Sequence, residues 1–181
     1  MDSRRRNDSG FTLIEIITVL ILLSIIAATV LGRSINTEST DLVSQIARVR
    51  NHLRFAQSMA MKYGDKVWGV KCDDVAGERL YWVFRLDLPV ADPVNEPDLP
   101  ANKVQLPGES DLNIDLSEKK VQMATFDLFF DRFGRPYHYY EDEADPDNVP
   151  LTIPLSITLQ SIPTPSINGN ILITPETGLI Q

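Results

Sequence analysis

Residues Gly10 to Arg33 read GFTLIEIITVLILLSIIAATVLGR, and from Phe11 to Leu31 the single charge is Glu15. Twenty-one residues at about 1.5 Å each make an α-helix of roughly 31 Å, the thickness of a bilayer core. A helix buried in a water-soluble domain would interrupt such a run with polar side chains. Here only Thr12, Thr18, Ser24 and Thr29 do so, and their hydroxyls can bond their own helix carbonyls. The run predicts a membrane-spanning helix over residues 11–31. Arg4, Arg5 and Arg6 precede it and Arg33 alone follows closely, so the positive-inside rule keeps the N-terminus cytoplasmic. A cleavable secretory signal is the competing reading, with Ala27, Ala28 and Gly32 as small residues for a cleavage site. Against it, an acid inside the run costs about 2.5–3.5 kcal/mol on insertion, and a discarded signal has no use for one.

GFTLIE combines a basic leader closed by Gly10, an aromatic at Phe11 and one acid, Glu15, five residues after the glycine. It resembles the prepilin cleavage and methylation motif of type IV pilins and type II secretion pseudopilins. The resemblance implies that a membrane peptidase cuts after Gly10, removes residues 1–10 and methylates the new N-terminal Phe11. It also implies that Glu15 of one subunit pairs with the Phe11 amine of a neighbour in a bundle of apolar helices. A buried charge left half-paired is penalised, so such a pair selects the axial offset of subunits more than it adds stability. Gly32 stands where major pilins carry a helix-bending proline, and this chain departs from them there.

Beyond the leader and the span, about 150 of the 181 residues remain, enough for one soluble domain. Cys72 is the only cysteine, so no intramolecular disulfide can form. The net charge is −8, and the leader carries three Arg against two Asp, which leaves the mature chain near −9. An acidic head repels phosphate backbones, which counts against nucleic acid as a partner.

From Thr37 onward Leu42, Ile46, Val49, Leu53, Ala56, Ala60 and Tyr63 recur in steps of four and three, one face of a helix. Ser39 or Thr40 is the expected cap and Gly64 the expected stop. The helix is expected to run on from the span, with a weak point between Gly32 and Thr40. Its other face carries Arg48, Arg50, Asn51, Arg54 and Lys62, read as a solvated surface with His52 beside it. The period then changes to two. Trp68, Val70 and Cys72 share one side of a strand, Leu80, Trp82, Phe84 and Leu86 one side of the next, with DDVAGE as the hairpin turn. The aromatic stripe is expected to pack on the helix. Pro89, Pro93, Pro97, Pro100 and Pro107 make the following stretch a long, flexible loop. Strands are expected in KVQMATFDLFF, YHYY, LTIPLSITLQ and NILITP, with turns at DRFGRPY, IPTPSING and PETG.

The fold class is therefore α+β: a long N-terminal helix, membrane span then amphipathic half, packed on a small antiparallel sheet. The expected divisions are leader 1–10, span 11–31, amphipathic helix 32–64 and periplasmic head 65–181. ARVRNHLRFAQSMAM, FDRFGRPY and ILITPETG resemble pieces of the GspH/FimT minor pseudopilins in particular. That resemblance implies an inner-membrane-rooted filament subunit of a type II secretion system or type IV pilus, whose partners are other pilin-type subunits and the prepilin peptidase. Relatives that bind DNA end in a glycine followed by arginines. Here Gly178 precedes Leu179, Ile180 and Gln181, so DNA capture by the tail is not expected. The alternative role is a ligand-binding module at a pilus tip. In EDEADPDN, Glu141, Asp142, Glu143, Asp145 and Asp147 are candidate calcium ligands, although their spacing is not that of an EF-hand and a solvated loop is the simpler reading. No P-loop, zinc-protease or GxSxG motif is present, and neither an enzyme nor a resident cofactor is expected. Cys72 reads as a small inward strand residue rather than a nucleophile served by His52 or His138.

Overall fold

The computed structural model describes residues 12–33 and 37–181, with side-chain burial for 12–29 and 38–181. Gly10, Phe11, the leader and the junction at 34–36 lie outside the described residues. The chain divides into two compact units, the second of which, the head, begins at Ser39. Helix α1 spans Leu13–Arg33 and α2 spans Thr37–Lys62. Ser39 and Thr40 therefore lie inside the first turn of α2 instead of capping it. Gly64 adopts no left-handed conformation, and the chain turns into the sheet through Lys66 N–H donating to the Tyr63 carbonyl at 3.1 Å.

The head holds ten strands among the described residues. These are β1 Lys66–Val75, β2 Glu78–Asp87, β3 Lys103–Val104, β4 Ile114–Asp115, β5 Val121–Met123, β6 Phe126–Phe130, β7 Pro136–Tyr139, β8 Val149–Pro150, β9 Leu155–Ser161 and β10 Asn168–Ile173. A seven-stranded sheet runs β3-β2-β1-β6-β7-β8, with β4 also on β2, and a three-stranded sheet runs β10-β9-β5. Every pairing is antiparallel.

The β1–β2 hairpin closes more tightly than DDVAGE implied. Val75 pairs with Glu78, leaving Ala76 and Gly77 as a two-residue turn with φ of 55° and 90°. Two positive φ values make the turn whose twist matches the flanking strands. Asp74 and Arg79, cross-strand partners, form a forked ion pair that carries the ladder to the turn.

The register sorts the side chains of β1 and β2 into two cores. Trp68, Val70, Cys72, Tyr81 and Val83 face α2, where Leu42, Val49, Leu53, Ala56 and Ala60 are buried as the helical series predicts. Val67, Trp82, Phe84 and Leu86 lie on the other face with Val90, Phe129 and Tyr140. The aromatic stripe expected against the helix thus packs away from it. A strand reading LYWVF is apolar on both faces, as a strand covered from both sides must be, and parity alone cannot say which face meets the helix. Gly69 completes this second core, because a Cβ there would overlap the Phe84 ring and the Leu128 carbonyl.

The proline-rich segment roofs that second core instead of hanging free. Pro93 and Pro97 are buried, Glu96–Asp98 forms a short 3-10 helix, and the Trp82 indole N–H donates to the Pro97 carbonyl at 2.8 Å. Lys71, on the same face, reaches Asp98 at 2.9 Å, and the Lys103 ammonium sits 3.8 Å above the Trp82 ring. KVQMATFDLFF is two strands in two sheets: β5 pairs with β9 and β6 with β1. Ala124 and Thr125, both exposed, break the alternation at the crossing. The DRFGRPY turn forms as expected, with Gly134 at φ 77°. The buried Asp131 carboxylate accepts the N–H groups of Phe133 at 2.9 Å and Arg135 at 2.8 Å.

Candidate functional site

Thr12 immediately precedes helix α1, and its hydroxyl oxygen accepts the Glu15 N–H at 3.4 Å. The spacing Thr12-x-x-Glu15 is that of a capping box, a signal not used in reading the sequence. It places the carboxylate in the first turn, where the helix dipole favours an anion. Thr18, Ser24 and Thr29 donate their hydroxyls to the carbonyls of Ile14, Ile21 and Ile26 at 2.7–2.8 Å, so the polar interruptions satisfy themselves as expected.

Every described side chain of α1 is exposed, its large apolar ones between 44% at Ile17 and 76% at Leu13. Glu15 forms no ion pair among the described residues. The described apolar run ends at Thr29, and among the described residues no helix is long and apolar enough to cross a membrane. The span expected over 11–31 therefore rests on residues that lie partly outside this description. Phe11, the expected partner in assembly, and Gly10, the expected cleavage site, are among those outside it.

In the head, the cationic face of α2 is not uniformly solvated. Arg48 grips Glu109 through both oxygens, with Nε to Oε1 at 2.6 Å. The hydrogen bonds from Arg48 hold the Glu109 carboxyl below the usual carboxylate range. His52, expected at the surface, is buried at 7% exposure. Its Nδ1 lies 2.9 Å from the Tyr81 hydroxyl and its Nε2 3.5 Å from Glu109. Burial lowers the His52 pKa, Glu109 opposes that shift and Arg48 reinforces it. The misreading had a visible warning: 52 falls three positions after Val49 and four before Ala56, both on the buried face. Lys62 stacks over its neighbour Tyr63 at 5.1 Å, and Arg54 donates to the Ile180 carbonyl at 2.9 Å. Arg50 has a buried Nε with no hydrogen-bond partner.

The acidic loop spends its oxygens locally. Asp142 and Asp145 accept the N–H groups of Ala144 and Asp147 at 2.6 and 2.7 Å, Glu143 pairs with Arg132 and Glu141 takes the Tyr139 hydroxyl. Among the described residues no three His, Cys, Asp or Glu side chains converge on a position that could hold a metal ion. The Cys72 thiol is buried and pushed up to about 12, the wrong direction for a nucleophile, while His138 is exposed on β7.

The three head segments that carried the finer resemblance meet at one residue. The Gln57 amide of α2 donates to the Gly134 carbonyl at 2.9 Å in the DRFGRPY turn and to the Gly178 carbonyl at 3.0 Å in the closing turn. Gly178 has φ 61°, and a Cβ there would lie 2.5 Å from both Gln57 Nε2 and the Gly134 oxygen. The glycines of two distant turns and the glutamine of the helix thus form a single junction.

Helix α1 is thus exposed and apolar with one acid in its first turn, and it precedes an α+β head. Residues 5–31 match the family described as the prokaryotic N-terminal methylation motif. The match supports a membrane-anchored, type IV pilin-like or pseudopilin subunit, handled by a prepilin peptidase and assembled with other pilin-type subunits. No curated protein and no solved structure matches the chain.

Proposed function

We propose that this chain is a minor pseudopilin or pilin of the GspH/FimT kind, cut after Gly10 and held in the inner membrane by residues 11–31. In this reading its head faces the periplasm, and the subunit joins a helical filament of a type II secretion system or type IV pilus. It has no catalysis of its own and no resident cofactor. The observation that carries the reading is the exposed apolar helix α1 with Glu15 in its first turn, inside the matched residues 5–31. Such a surface needs lipid or other helices, and a carboxylate at its start is suited to a cation at the same depth. After cleavage that cation is the Phe11 amine of a neighbouring subunit.

Glu15 also stands at the capping-box position of α1, three residues after Thr12, so two substitutions are needed. Glu15→Gln keeps a capping side chain and removes the charge, whereas Glu15→Ala removes both. Both variants are expected to be cut after Gly10, with a mature mass beginning at Phe11, and both to be incorporated poorly into filaments. Normal incorporation of Glu15→Gln removes the charge pairing, and a mature chain that retains residues 1–10 removes the pilin reading.

A further inference from the structure

Between β3 and β4 the chain forms a strap beside α2. Leu106 and Ile114, both buried, pin its ends in the core under the helix, while residues 107–113 stay exposed or half-buried. Gly108 at φ 87° and the Glu109 N–H, donating to the Leu106 carbonyl at 3.1 Å, make the turn that presents Glu109 to the helix. Lys103 steadies the far limb through its Nζ, 2.7 Å from the Asn113 amide oxygen. The tie to α2 is Glu109 itself, which Arg48 grips through both oxygens and which His52 Nε2 approaches to 3.5 Å. That tie is also a wall. On one side lies a cleft of about 640 Å³ lined by Ala47, Asn51, Phe55 and Pro107, on the other a cleft of about 160 Å³ lined by Asp111, Asn113, Asp115 and Lys119. Arg48 and Glu109 line both.

His52 sits at the base of this wall, where a proton cannot be added without loss. An ionised Glu109 only accepts, so the single ring hydrogen belongs on Nε2, and Nδ1 accepts the Tyr81 hydroxyl at 2.9 Å. A second proton goes on Nδ1. The Tyr81 hydroxyl must then turn its hydrogen away, into a core where that side chain is buried. Arg48, on the same helix, already uses both oxygens of Glu109 and repels an imidazolium. Glu109 attracts one, but burial and Arg48 together outweigh it. Asp111 of the strap bears on Glu109, and Glu118 beyond β4 bears on Arg48. The Cys72 thiol, across the ladder from Tyr81, stays protonated.

We propose that the strap is an acid-released clasp: protonation of His52 frees Glu109 from α2 and joins the two clefts into one groove along the helix. With the strap lifted, water reaches both ring nitrogens and the Tyr81 hydroxyl, so the open form takes the proton that the closed form resists. Below about pH 6.5 the open population therefore grows, by at most about tenfold per pH unit for one proton. Glu109 acts in the same direction further down. Freed from Arg48 it recovers an ordinary carboxyl pKa, so opening gains a second proton below about pH 4.3. The joined groove has the apolar Phe55 and Pro107 at one end and the carboxylates of Asp111 and Asp115 at the other. This goes beyond the assembly reading and does not rest on it, because the clasp lies in the head and is indifferent to cleavage after Gly10.

Hydrogen exchange on the full chain in detergent micelles tests the clasp, with each rate corrected for the intrinsic effect of pH. The Glu109 amide is expected to exchange about threefold to tenfold faster at about pH 5.5 than at about pH 7.5. Its rate is expected to stay flat up to about 1 M urea, as for a local opening, while the amides of the β1–β6 ladder accelerate. His52→Gln is expected to remove the rise on acidification. Glu109→Gln takes the charge out of the Arg48 grip, and is expected to raise exchange at position 109 at least about threefold already at about pH 7.5, with the fold intact by circular dichroism. Three results would overturn the proposal: a Glu109 rate that climbs with urea in step with the β1–β6 ladder, an acid rise that survives His52→Gln, or unchanged neutral-pH exchange in Glu109→Gln.

Discussion

Two single side chains, His52 and Glu109, each give the head a pH dependence. His52 touches Tyr81 from β2 and Glu109 from the loop after β3, with Arg48 beside it on α2. Burial depresses its folded pKa below the ordinary value near 6.5. The stability it contributes is complete above about pH 6.5 and is lost as the pH falls through the folded value, with a slope of at most about 1.4 kcal/mol per pH unit. Glu109 is depressed too, so its contribution holds above about pH 4.3 and is lost below. In urea melts between about pH 7.5 and 3, His52→Gln is expected to flatten the fall in stability below about pH 6.5 while the loss below about pH 4.3 persists. Gly178 is a steric counterpart. Its left-handed backbone and the crowding by Gln57 and Gly134 predict that Gly178→Ala costs about 2–4 kcal/mol, measured by urea unfolding.

Among elements, the roof over the second core is the least obvious from sequence. Five prolines told correctly that no continuous helix or inner strand forms there, but not that Pro93 and Pro97 are buried or that Pro97 receives the Trp82 indole. Proline lacks a donor and fixes φ, which suits a fixed cover as well as a loose connector, and only the register of β1 on β2 shows which apolar face needs covering. Trp82→Phe keeps most of the ring packing and removes one hydrogen bond. A loss of about 1 kcal/mol is expected, with faster proteolytic cutting within residues 88–100. Helix α2 was legible because its burial repeats every 3.6 residues over about five turns, from Leu42 to Ala60. The crossing between β5 and β6 was not, because Ala124 and Thr125 carry no glycine or proline to announce a break.

For the molecule as a whole, both faces of the large sheet are covered, one by α2 and the other by the proline-rich roof. The N-terminal motif was the most legible part in the sequence, since it is one contiguous stretch, residues 5–31, that the family match also covers. The Arg48–Glu109–His52–Tyr81 cluster was not, because its members come from a helix, a strand and a loop separated by up to 61 positions. One further consequence comes from Cys72, which lies sealed between the sheet and α2 with its thiol held in the protonated form. An alkylating reagent can reach that sulfur only while the layers are apart. The chain thus contains a built-in clock, one chemically silent atom that records how often the head comes open.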